Sequence, residues 1–159
     1  MIKINIVCIG NLKEKYYRDS FFEYSKRLKR YCKFTVDQLD ECKLPQNSSA
    51  AEIEEAIKAE GKSILSKLHS SFIIALCIEG KMFSSEELSD TIDKLSVQGI
   101  SEISFVIGGS WGLSDEIKNR ANIKLSMSRM TFPHQLARIM LCEQIYRAFQ
   151  ISNNGKYHK

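Results

Sequence analysis

Seven consecutive residues, Phe72-Ile73-Ile74-Ala75-Leu76-Cys77-Ile78, carry no polar side chain. A strand is apolar at every position only where both of its faces are covered. That is the condition of an inner strand in a parallel sheet with helices above and below. The rest of the chain supplies those helices. Ile2, Ile4, Ile6 and Cys8 alternate with Lys3, Asn5 and Val7 and predict a first strand, stopped at Gly10-Asn11. Tyr17, Phe21, Tyr24, Leu28 and Tyr31 recur every three or four positions, which predicts an amphipathic helix over residues 14–31. Residues 34–39 read as a short strand, Pro45-Gln46-Asn47-Ser48-Ser49 as a turn or loop, and Ile53, Ile57, Ile64 and Leu68 mark a second helix.

Beyond the apolar run, Glu79-Gly80-Lys81 is expected to break the strand. Ser84 with Glu87 forms a capping box for a helix carrying Leu88, Ile92 and Leu95, ended by Gln98-Gly99. Strands at residues 103–107 and 123–127, with a helix between them, and a last helix at 136–149 complete the chain. Strands alternating with helices predict an α/β fold, a mostly parallel sheet with helices on both faces. No long linker, repeat or low-complexity tract divides the chain, so one domain over residues 1–159 is expected.

Charge and cysteine usage narrow the classes. The net charge of +4 permits a polyanionic partner without demanding one. Its distribution says more: Lys13, Lys15, Arg18, Lys26, Arg27, Lys29, Arg30 and Lys33 crowd the first helix region, and Lys156, His158 and Lys159 end the chain. A solvated helix face is the plain alternative. The five cysteines form no C-x-x-C pair and are odd in number, which argues against a disulfide framework and a zinc site. Cys8 and Cys77 fall in apolar runs and read as small core residues. The three histidines show no metal-ligand spacing. No apolar run approaches the roughly 20 residues of a bilayer span, and no leader with a cleavage site is visible. A cytoplasmic protein with no membrane partner is expected.

The chemistry is concentrated in two loops that follow strands. The first is Gly108-Gly109-Ser110-Trp111-Gly112-Leu113. The second is Ser128-Arg129-Met130-Thr131-Phe132-Pro133-His134-Gln135. Strand ends that release into bare-backbone loops are where open α/β sheets hold small ligands, because amides unclaimed by the sheet are free there. The glycines leave room for a ligand to approach the main chain. Met130 and Phe132 offer an apolar wall for a purine. A plain tight turn is the competing reading of the glycines. Gly108 to Gly112 also fits G-x-S-x-G, a hydrolase nucleophile elbow at Ser110, with Asp115, Glu116 and His134 following in order; three fixed positions recur often by chance. No G-x-G-x-x-G follows the first strand, which disfavours a nicotinamide site.

The last helix places Glu143 four residues before Arg147, the spacing of a surface ion pair. Leu136, Ile139, Met140, Ile145 and Tyr146 make it apolar over a wide arc, as suits core or a subunit interface. The terminal Tyr157-His158-Lys159 carries a stacking ring, an imidazole and a cation, groups that suit a nucleotide.

Phe105-Val106-Ile107-Gly108-Gly109-Ser110, Gly112-Leu113, Met130-Thr131-Phe132-Pro133-His134-Gln135 and Tyr157-His158-Lys159 resemble the RlmH group of SPOUT-class methyltransferases, and the resemblance covers essentially the whole chain. It implies S-adenosylmethionine-dependent methylation of N3 of a pseudouridine in 23S ribosomal RNA of the assembled 70S ribosome. It further implies a homodimer and an α/β fold with a C-terminal trefoil knot, a rare exception to unthreaded topology. By this resemblance the cofactor meets Leu76, Gly108, Met127, Ser128, Arg129, Met130, Thr131 and Phe132. His134, Arg129, Tyr157 and His158 are the candidates for chemistry, the tail pair engaging the base, in a dimer from either subunit. For His134 a structural role at the start of the last helix stands beside the catalytic one. A non-catalytic nucleotide- or RNA-binding module of the same build is the competing class.

Overall fold

The computed structural model describes residues 1–159. Ten elements alternate along the chain: β1 (Lys3–Ile9), α1 (Lys15–Leu28), β2 (Lys33–Leu39), α2 (Ala50–Leu65), β3 (Phe72–Met82), α3 (Ser85–Val97), β4 (Glu102–Ile107), α4 (Asp115–Arg120), β5 (Ile123–Ser126) and α5 (His134–Ser152). The five strands form one sheet in the order β2-β1-β4-β3-β5, parallel throughout. The α/β class and the helix-covered parallel sheet are as the apolar patterning predicts.

Side-chain alternation builds two cores, one on each face. Ile4, Ile6 and Cys8 of β1, with Ile103, Phe105 and Ile107 of β4, point into a cluster closed by Leu28 of α1, Leu88, Ile92 and Leu95 of α3, and Leu141, Cys142 and Ile145 of α5. Val7 and Ile9 of β1 and Val106 of β4 point the other way, to Ile64 of α2 and Ile117 of α4. Successive strand residues face opposite sides of a sheet, so β1 and β4 serve both cores at once. Caps set the helix starts. Ser49 accepts the Glu52 amide at α2, and Ser84 with Glu87 makes the full capping box at α3. Gly99 closes α3 at φ +83°, a conformation that glycine adopts without strain.

Three expectations change. The apolar run is fully buried only at Ile73, Ile74 and Ala75; Leu76 and Cys77 are half-buried and Ile78 is exposed, because the strand there meets a cavity rather than a helix. Cys77 is therefore a cavity residue, while Cys8 is core. Glu79-Gly80-Lys81 does not end β3. The strand slips its register against β5 between Leu76 and Lys81, both facing Leu125, and continues to Met82. Gly80 permits this, since a Cβ there would stand 2.6 Å from the Lys124 carbonyl carbon. Finally, α5 begins at His134, two residues before its apolar pattern, with Pro133 at its N-terminus.

No helix is long and apolar enough to cross a membrane.

Candidate functional site

The C-terminal ends of β3, β4 and β5 enclose a cavity of about 840 Å³, within the usual range for small-molecule sites. Most of its wall comes from three places in the chain: Leu76 to Glu79 of β3, the loop from Gly108 to Leu113, and the stretch after β5 from Met127 to His134 with Arg129 left out. The two loops singled out in the sequence thus face one space. Leu76, Gly108, Met127, Ser128, Met130, Thr131, Phe132 and His134 all line it. Arg129 lies in the same stretch, but its side chain is exposed and outside the lining.

The first loop closes on itself. The Gly112 amide donates to the Gly109 carbonyl at 3.1 Å, and Gly112 sits at φ +84°. A Cβ on Gly108 would stand 2.6 Å from the Gly112 carbonyl carbon, and one on Gly109 would stand 3.0 Å from Ile9 Cγ2 and 3.2 Å from Glu60 Oε2. The missing side chains therefore point at protein atoms, not at open cavity. The tight-turn reading of these glycines holds, and the opposite side of the loop faces the cavity.

Ser110 donates its hydroxyl to Glu41 Oε1 at 3.0 Å. A nucleophile elbow needs a base in that position, with the acid behind it. Here a carboxylate accepts the serine hydroxyl where an imidazole would stand, so the hydrolase constellation suggested by G-x-S-x-G is not assembled.

The second loop leaves donors unclaimed. Ser126 Oγ donates to the Ser128 carbonyl at 2.9 Å, and the Met130 amide donates to Ser128 Oγ at 3.0 Å. From Ser128 to Phe132 no other amide has an acceptor within the chain. Free main-chain donors beside the apolar side chains of Leu76, Met127 and Phe132 are a donor set that fits a nucleoside carrying a small polar chain. The chain then crosses the C-terminal edge of the sheet, from β5 at one side to the end of β1. There the Lys13 amide donates to Gln135 Oε1 at 2.8 Å, and Arg138 Nη2 donates to the Gly10 carbonyl at 2.7 Å.

His134 stands at this crossing, half-buried. A Cβ on Gly10 would lie 3.3 Å from its Nε2. Burial pushes its pKa below the ordinary histidine value; Glu41 opposes this, while Arg138 and Lys13 add to it. The ring is thereby biased toward its neutral form. At the rim Lys118 Nζ pairs with Glu79 Oε1 at 2.5 Å. That hydrogen bond lowers the Glu79 pKa and raises that of Lys118. Trp111, half exposed, and the Glu79–Lys118 pair also face the cavity. Sequence reasoning passed over all three; the only signal was the position of Trp111 inside the glycine loop.

Within one chain the tail does not reach the cavity. Tyr157 packs edge-on against Tyr146, with ring centroids 4.9 Å apart, and donates to Glu143 Oε1 at 3.0 Å. Arg147 covers the Tyr157 ring at 4.8 Å, and His158 Nε2 meets Glu86 Oε1 at 2.7 Å. Glu143–Arg147 is thus a half-buried anchor for the tail rather than a surface pair. Beside it, Tyr24, Phe83, Leu88, Met127, Ile139 and Met140 line a second cavity of about 540 Å³. On α1 the basic face is partly neutralised: Lys15 pairs with Asp19 and Arg27 with Glu23, while Arg18 donates to the Leu12 and Lys13 carbonyls. No three His, Cys, Asp or Glu side chains gather in a metal-binding arrangement.

A family model described as "Predicted SPOUT methyltransferase" matches residues 2–158. The chain is 52% identical over 159 residues to a Clostridioides difficile (strain 630) protein named ribosomal RNA large subunit methyltransferase H, covering 99% of this chain and all of that protein. It is 50% identical to the Clostridium acetobutylicum protein of the same name, with the same coverage. Among solved structures, the tRNA (m1G37) methyltransferase of Aquifex aeolicus shares the fold with a TM-score of 0.53 at 12% identity, over 92% of this chain and 69% of that one.

Proposed function

The chain belongs to the SPOUT methyltransferase family, and from that premise we propose that it is a single-domain, S-adenosylmethionine-dependent enzyme that methylates N3 of a pseudouridine in 23S ribosomal RNA. The relatives at about half identity are named for an RNA of the large subunit. The observation that carries the reading is the convergence of the β4 and β5 loops on one cavity with unclaimed amides.

S-adenosylmethionine, when bound, supplies a methyl group already activated on a sulfonium. Leu76, Met127 and Phe132 would wall the adenine, and the main chain of Gly108 and of residues 128–132 would fix the polar parts. With an activated donor the enzyme's chief contribution is alignment. The acceptor nitrogen carries a weakly acidic proton and becomes nucleophilic only as that proton leaves. His134, held neutral by burial, accepts it at a ring nitrogen, and Arg129, free of the pocket wall, stabilises the ring anion. Lys26, Lys29, Arg30 and Lys33 hold RNA phosphates. The enzyme acts as a cytoplasmic homodimer on the 70S ribosome, with the Tyr157-His158 tail of one subunit serving the pocket of the other. The path from β5 across the sheet edge to Gly10 is the stretch that would thread the trefoil knot.

Calorimetric titration with S-adenosylmethionine should give a single site. Substituting Gly108 with Val should abolish that binding, because the new side chain collides with Gly112. Absence of binding to the unaltered protein defeats the proposal. Mass spectrometry of 23S RNA from cells lacking the protein, before and after adding it back to purified ribosomes, identifies the modified base.

A further inference from the structure

The most telling unexplained group lies directly behind the cofactor loop. Glu60 of α2 is 3% exposed. Its Oε1 accepts the Cys42 amide at 3.2 Å, while Oε2 has no partner. An unmatched buried oxygen is costly and calls for a reason. The helix makes no use of the charge: Glu60 follows Ala56 and precedes Ile64 by four residues each, on the stripe that α2 buries.

Its surroundings supply the reason. Oε2 is aimed at Gly109: a Cβ there would stand 3.2 Å from it, a tight approach that the bare glycine avoids. Cys42, which Glu60 holds by its amide, adjoins Glu41, and Glu41 accepts the hydroxyl of Ser110. Two successive residues of the loop are therefore backed by two carboxyl groups from two different segments, while the opposite side of the loop faces the cavity.

We propose that Glu60 is a positioning residue for the methyl-donor site: its carboxyl braces Gly109 from behind and, through Cys42, Glu41 and Ser110, fixes where the main chain of residues 108–110 stands against the ligand. The inference rests on the reading of the cavity as the S-adenosylmethionine site. Burial raises the pKa of Glu60, and the Glu41 carboxylate raises it further against the opposing Cys42 amide. From the segment after β2, Glu41 and the Cys42 amide face it; the loop presents Gly109, which has nothing to titrate. No cation stands opposite, so burial and Glu41 both oppose ionisation, and the charged form pushes Glu60 and Glu41 apart and loosens the loop.

The test compares the full-length protein with Glu60→Gln and Glu60→Ala. Amide hydrogen exchange at residues 108–112 is followed without ligand, and S-adenosylhomocysteine is titrated calorimetrically across pH. Glu60→Gln, the isostere of the neutral acid, should keep affinity within about twofold at the acid end and remove the fall in affinity at higher pH. Glu60→Ala should speed exchange at residues 108–112 and weaken binding by about tenfold. Unchanged exchange in Glu60→Ala, or a pH dependence in Glu60→Gln that matches the unaltered protein, overturns the brace. If the unaltered protein binds no S-adenosylhomocysteine, the cofactor reading fails, and the exchange arm decides the brace alone.

Discussion

At the scale of single residues, two titrating groups, half-buried His134 and buried Glu60, flank the loops with opposite signs. His134 has a lowered folded pKa, from burial first and then from Arg138 and Lys13. The unfolded chain binds its proton more readily, so stability falls as pH drops through the ordinary histidine value. Glu60 is the reverse: its folded pKa is raised, the native state holds the proton longer, and stability falls as pH climbs past the ordinary carboxylate range. Denaturant midpoints across pH should show both slopes. His134→Gln should flatten only the fall on the acid side of the histidine window, and Glu60→Gln only the fall above the carboxylate range. If His134 is also the proton acceptor, His134→Gln lowers kcat by about 10²-fold or more while the affinity for S-adenosylhomocysteine stays unchanged. The loops that carry Gly108 and Met127 to Phe132 were legible in the sequence because glycine and free backbone announce themselves at strand ends. Glu60 was not, because its meaning comes from what α2 packs behind that loop. The one visible trace was a carboxylate on the Ala56–Ile64 stripe, where an apolar residue belongs.

At the scale of elements, α5 does the most. Arg138, 1% exposed, donates Nη2 to the Gly10 carbonyl at 2.7 Å and Nη1 to Gln38 Oε1 at 2.8 Å. It ties the start of α5 to the ends of β1 and β2, and so fixes where the preceding loop crosses the sheet. Arg138→Ala removes charged hydrogen bonds and leaves a cavity; the expected loss is about 3 kcal/mol or more, read as a lower denaturant midpoint at unchanged slope. Arg138→Lys should recover only part of it, since one ammonium does not span two acceptors in the same fork. The order of elements was readable from period alone, and the capping box at Ser84 and the turn at Gly99 fell where their chemistry places them. Two features escaped for one shared reason. The register slip in β3 and the early start of α5 at His134 are decided by tertiary contact, through Gly80 against Lys124 and Gln135 against Lys13, and hydrophobic periodicity carries no record of either.

At the scale of the molecule, the tail decides how many chains one site needs. Tyr157 and His158 are moored to their own α5 and α3 by Tyr146, Glu143 and Glu86, away from the cavity of the same chain. The smaller cavity beside that mooring, lined by α1, α3 and α5, shares Leu125, Ser126 and Met127 with the larger one. A second copy seated on that apolar face would touch the back of the loop after β5 and bring its own moored tail with it. Symmetric pairing of one face with itself is the commonest way two copies close. The arrangement is open to a complementation experiment. One variant lacks Tyr157 to Lys159 but keeps its pocket; the other carries Gly108→Val but keeps its tail. Each should be inactive alone. After unfolding and refolding as an equal mixture, about half of the dimers are mixed, and each mixed dimer has one intact pocket facing one intact tail. Activity should return to about a quarter of that of the unaltered protein. A mixture as inactive as its parts would mean that each tail serves its own chain, which requires the Glu143 and Glu86 contacts to open before turnover. Activity in the truncated variant alone would remove the tail from the chemistry altogether.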